Sequence, residues 1–146
     1  MSKTILAAAA ALAILATPVL AVDTVTSKDA PDLTAVRAKI KAKDFASARD
    51  DLLKISNTNL HADVYSLLGF TLRKTGDTST SLTYYTKALE LQPDHKGARE
   101  YLGELFAETG KLDKAKEQLA ILARLCPGGC EEREDLQKAI AAKASN

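Results

Sequence analysis

From Pro31 onward the apolar residues recur three and four positions apart, and nowhere do they alternate with polar ones in the period of two that a half-buried strand requires. The spacing predicts an all-α chain. Leu33, Val36 and Ile40 share one face of a helix over residues 32–42, for which Asp32 is the natural N-cap. Asp44-Phe45 precedes small Ala48, and Leu52 lies four positions beyond, which predicts a second helix. After Cys130, Leu136, Ala139 and Ile140 form a narrow apolar stripe on a last helix. Glu131, Glu132, Glu134 and Asp135 crowd the positive end of that helix, with Lys138 and Lys143 toward its negative end. Glycine and proline punctuate these patterns: Gly76 and Gly110 suit left-handed C-caps, and Pro93 and Pro127 stop the helices before them.

The punctuation is periodic. Gly69 and Gly103, Gly76 and Gly110, and Pro93 and Pro127 are each 34 residues apart. On that offset Leu68-Gly69 aligns with Leu102-Gly103, Leu72 with Phe106, small Ser81 with Ala115, and Tyr85 with Leu119. The stretch "ADVYSLLGFTLRKTGDTSTSLTYYTKALELQPD" resembles a tetratricopeptide repeat. Tyr65 stands where that family often has tryptophan, Leu68, Gly69 and Leu72 fill the first-helix pattern, Ser81 and Tyr85 the second, and Pro93 closes the unit. The resemblance implies a solenoid of helical hairpins wound as a right-handed superhelix.

Small residues explain the pattern physically. Gly69 and Gly103 in the first helix of a unit let the second helix approach closely, and each hairpin hides its apolar face only against its neighbours. Units are expected at 62–95 and 96–129, preceded by a degenerate unit at 32–61 that lacks the Leu-Gly pair and has Lys43 where Gly76 and Gly110 fall. Residues 130–146 form a capping helix and tail. Such a helix, greasy on one side, closes an open-ended stack; docking of a partner is the other use of such a face.

Residues 1–21 combine Lys3, an apolar run from Ile5 to Ala16, Pro18, and Val19-Leu20-Ala21, the layout of a cleaved secretory signal. Residues 22–31 are polar and aperiodic and read as a linker. The expected product is secreted, into a bacterial periplasm, with no stable membrane insertion. Of the 20 basic side chains only Lys3 lies in the signal, so 19 remain against 19 acidic ones. That balance argues against nucleic acid and anionic membranes as partners.

Export makes the two thiols, Cys126 and Cys130, candidates for a disulfide across Pro127-Gly128-Gly129, stapling the last unit to the capping helix. Redox activity and binding of a soft metal such as copper(I) are the alternatives, although the spacing is C-x₃-C and no histidine or methionine stands nearby. His61 and His95 read as polar loop residues at unit junctions, and Thr78 to Thr80 as capping and solvent groups. No phosphate loop, nucleophile elbow, dinucleotide fingerprint or zinc-protease motif is present, and no cofactor is implied.

The expected function is therefore non-enzymatic binding of a protein or peptide. The resemblance implies a concave groove lined by first helices, which places Arg37, Lys41, Asp63, Ser66, Phe70, Arg73, Lys74, Glu100, Glu104 and Glu108 outward on its wall. That groove is basic toward one end and acidic toward the other. A solvated helix face accounts equally for the glutamates, and packing against a neighbouring helix for Phe70. The lysine and asparagine set with which some family members clamp a chaperone's C-terminal carboxylate is missing. The alternative function class is a redox or copper-handling accessory acting through Cys126 and Cys130.

Overall fold

The computed structural model describes residues 30–145. The signal assigned to 1–21 and all but the last two residues of the linker at 22–31 lie outside the described residues. Among the described residues there are seven helices and no strand: α1 Thr34–Lys41, α2 Phe45–Ser56, α3 Ala62–Lys74, α4 Thr78–Leu91, α5 Lys96–Glu108, α6 Leu112–Leu125 and α7 Glu131–Ala144. Each packs against the next in sequence, α3 also meets α5, and α7 lies across both α5 and α6.

The first helix is shorter than the sequence predicts. Its N-cap is Leu33, which has no capping side chain, while Asp32 accepts a hydrogen bond from the Thr34 backbone N–H at 2.9 Å. Leu33 is instead buried with Val36 against Ala48, Leu52 and Val64. The helix starts late because this apolar side chain is held by the core.

One tight turn joins the helices of all three pairs. The N–H of Asp44, Asp77 and Lys111 reaches back to the carbonyl of Lys39, Leu72 and Phe106 at 2.8–2.9 Å, the Schellman closure. The residue before it must take positive φ: Gly76 at 93°, Gly110 at 75°, and Lys43 at 60°. Losing the glycine in the first unit does not change the turn, although a left-handed L-residue costs roughly 1–2 kcal/mol. Asp44 and Asp77 then cap α2 and α4 by accepting from Ser47 N and Thr80 N, and these hydrogen bonds hold both carboxyls below the usual range.

The close approach predicted at Gly69 occurs. A Cβ there would lie 2.5 Å from the Tyr85 ring, and Ser81, fully buried, donates its hydroxyl to the Gly69 carbonyl at 2.7 Å. Gly103 serves a different neighbour from the one expected. Its vacant Cβ position lies 2.5 Å from Leu136 of α7, not against α6. Leu119, which replaces Tyr85 on the 34-residue offset, is only partly buried, and Leu136 fills the space from the adjoining helix.

Gly69→Ala should lower stability by about 1–3 kcal/mol, the usual cost of forcing atoms into a packed site, measured by urea denaturation. Lys43→Gly should raise it by about 0.5–1 kcal/mol, because relief of the left-handed strain exceeds the added chain entropy.

Candidate functional site

Three first helices and the last helix face one cavity of about 490 Å³. α1 contributes Arg37; α3 contributes Asp63, Ser66, Leu67, Phe70 and Lys74; α5, with its cap, contributes His95, Gly97, Glu100, Tyr101 and Glu104; α7 contributes Glu131, Glu132 and Asp135. The structure thus brings together Arg37, Asp63, Ser66, Phe70, Lys74, Glu100 and Glu104 from the residues picked out in the sequence. Lys41, Arg73 and Glu108 do not line the wall. His95, Tyr101 and the α7 carboxylates were not picked out. α7 joins the wall because it packs on α5 as a further first helix would.

Two of the expected outward residues are buried. Ser66 is 2% and Arg73 6% exposed. Arg73 crosses from α3 to α5, where one guanidinium nitrogen donates to Glu104 and another to Glu108 at 2.7 Å. Burial disfavours its charge, but Tyr85 and the two glutamates outweigh that and hold its pKa above normal. The Arg73 Nε and the Tyr85 hydroxyl remain buried without a hydrogen bond of ordinary geometry. Arg73 therefore fastens neighbouring units together and removes much of the repulsion expected along the glutamate row.

Phe70 is partly buried, with its ring 4.8 Å from Tyr101 and 6.0 Å, edge-on, from Phe45. The Lys74 ammonium lies 5.3 Å from its centroid, within cation–π range. Both readings of Phe70 hold at once, since it packs between helices and lines the cavity. Beside it, burial pushes the Glu100 carboxyl up to about 8, helped by Glu104, Asp135 and Glu132. Burial also raises the Tyr101 hydroxyl to about 12.

The histidines are more than polar loop residues. His61 and His95 are the N-caps of α3 and α5, their Nδ1 atoms accepting from the backbone N–H of Asp63 and Ala98. With Nδ1 occupied as an acceptor, the proton of a neutral His95 ring sits on Nε2, which donates to Asp63 at 2.9 Å. That bond, first among the causes, holds the Asp63 carboxyl below the usual range, with Arg37 and His61 assisting. The pair locks α5 to α3 at the cavity floor. The residues are 34 apart like the glycines, so the repeat offset was an available signal for their shared role.

Leu60 and Leu91, 64% and 46% exposed, border an adjoining hollow of about 710 Å³ at the starts of α3 and α5, which shares Asp63, His95, Gly97 and Glu132 with this cavity. Cys126 ends α6 and Cys130 begins α7, with Cα atoms 6.0 Å apart, inside the span of a disulfide. No three His, Cys, Asp or Glu side chains converge as a metal site among the described residues.

Arg73→Met should cost roughly 1–3 kcal/mol in denaturant titrations, less than a fully buried pair because Glu104 and Glu108 reach solvent. The raised Glu100 pKa means that the folded state holds a proton the unfolded chain releases. Its stabilisation is complete below about pH 4.5 and is lost as pH rises through about 8. Glu100→Gln should abolish that decline, leaving the variant about 1–2 kcal/mol more stable than the parent above pH 8 after allowing for partial exposure. The gap should close toward pH 4.5, as followed by melting temperature across pH.

Residues 72–125 match the family model of the tetratricopeptide repeat. A stretch of 66 residues is 32% identical to the uncharacterized protein ycf37 of Pyropia yezoensis, covering 45% of this chain and 37% of that protein. The chain thus spans little more than a third of that relative's length. Among solved structures, YrrB, a tetratricopeptide repeat protein with an unusual peptide-binding site, is 25% identical with a TM-score of 0.60, over 77% of this chain and 58% of that one. The first tetratricopeptide repeat domain of human RPAP3 gives 16% identity and 0.63 over 77% and 91% of the two chains. PcrH, solved with the chaperone binding region of PopD, gives 14% and 0.63 over 76% and 84%. At those identities the last two show the fold alone. Residues 72–125 thus carry the pattern of that family, and the described residues share the all-α fold of the solved tetratricopeptide repeat proteins.

Proposed function

We propose that the chain is a non-enzymatic adaptor, exported to the periplasm, that holds an extended segment of a protein partner in the cavity lined by α1, α3, α5 and α7. The observation that carries this reading is the cavity itself. Its wall presents an aromatic pair, Phe70 and Tyr101, with Arg37 and Lys74 contributed by α1 and α3 and carboxylates contributed by α5 and α7. Apolar anchors ringed by orienting charges are what a peptide groove requires. YrrB, described by its peptide-binding site, shares the architecture at 25% identity. The leader-like composition of residues 1–21 supports export.

Within that reading Cys126 and Cys130 are a structural bridge between α6 and α7, formed in an oxidising compartment. The loop they close is short, so the bridge adds less than the usual 2–4 kcal/mol, and Leu136 and Ile140 hold α7 in place without it. The thiols of the exported protein should resist alkylation until reduced, and reduction should lower the melting temperature by only a few degrees.

A photo-crosslinking amino acid placed at Lys74, on the cavity, should capture a discrete partner in the cell envelope. The same group at Lys116, exposed on α6, should not. Phe70→Ala should weaken the captured interaction about tenfold or more, the loss expected of an aromatic anchor. Equal capture at both positions, or none at Lys74, would sink the groove reading.

A further inference from the structure

We infer that the α5/α7 end of the cavity receives a cationic side chain, lysine or arginine, of the bound segment. This rests on the peptide-groove reading above and specifies what that groove selects.

The charges around the cavity do not balance locally. Glu104 is taken by Arg73, Asp135 by Lys138 at 2.9 Å, and Asp63 by His95 with Arg37 at 3.9 Å. Glu100, Glu131 and Glu132 have no cation within ion-pair distance among the described residues. Glu131 and Glu132 have an internal explanation, since they lie in the first turn of α7 where the helix dipole favours them. Glu100 has none. It sits inside α5, partly buried, and after burial itself Glu104, Asp135 and Glu132 oppose its charge, while Arg73, which favours it, is already engaged elsewhere. Unoccupied, the site keeps this carboxyl protonated near neutrality. A cation would let it ionise.

The surroundings select an organic cation. Phe70 and Tyr101 line the same cavity next to Glu100, and Phe70 already stands in cation–π range of Lys74. Aromatic faces suit the alkyl stem of lysine or the flat guanidinium of arginine. The carboxylates are spread along the wall, with no three placed as metal ligands. A phosphate or a carboxylate would meet repulsion here. On α3 Lys74, which no carboxylate engages among the described residues, favours an acidic neighbour in the same segment, so the cavity also fixes direction.

The test uses the full chain and pools of short randomised peptides with one position fixed as Lys, Arg, Leu or Glu, with binding read by fluorescence polarisation. The Lys and Arg pools should bind about tenfold tighter than the Leu pool, a preference that salt weakens and Glu100→Gln with Glu132→Gln erases. A second readout is calorimetry near pH 7 in buffers of different ionisation enthalpy. Binding of a lysine peptide should expel up to about one proton from the parent and none from Glu100→Gln, a signal that a purely structural role for Glu100 would not give. Tight Leu or Glu pools whose binding is lost in Phe70→Ala would overturn the cationic preference and leave the peptide groove standing. Failure of every pool to bind would remove the groove reading, and this inference with it.

Discussion

The contact on which the structure depends is the seating of the Tyr85 ring against Gly69. A side chain at position 69 would occupy the space the ring needs, so a missing Cβ on α3 permits the one large aromatic that is wholly buried. From that seat a line of rings runs outward: Tyr85 meets Tyr101 at 6.3 Å, Tyr101 meets Phe70 at 4.8 Å, and Phe70 meets Phe45 at 6.0 Å. The line joins α2, α3, α4 and α5, and its middle members form the apolar wall of the cavity. Core and candidate site are thus one packed unit, and the stiffness of a groove in such a stack derives from its interior.

Electrostatics divides the cavity after packing has shaped it. Arg73 is spent within the fold, shared between Glu104 and Glu108 across the α3/α5 seam, and His95 holds Asp63 by a hydrogen bond. These pairs leave an uneven residue of charge, positive where Arg37 and Lys74 reach solvent and negative along the first turn of α7, at Glu131 and Glu132. A chain whose basic and acidic side chains nearly cancel in number therefore presents a strongly polarised inner face.

Much of this was legible from residue spacing. The 34-residue offset of glycines and prolines marks the hairpins, and Gly69, Ser81 and Tyr85 meet as their sizes suggest. Local pattern could not show which neighbour fills a gap: Gly103 admits Leu136 from α7 because Leu119 is too short to take the place of Tyr85. Nor could it separate groove from seam. Arg73 lies on the same helix as Phe70, but the way α3 and α5 lean together decides which positions are covered, and that angle is set by side chains on both helices. Lys43 shows the opposite case. The turn is fixed by backbone hydrogen bonds to Lys39 and Ile40, so a residue poorly suited to it is carried along.

The placement of α7 makes the array asymmetric. Where a further hairpin would set its first helix beside α5, the single helix α7 stands, with Glu131, Glu132 and Asp135 on the cavity. Its acidic first turn gives that edge of the inner face a charge the α1 edge does not share, so the face has a slope along the stack.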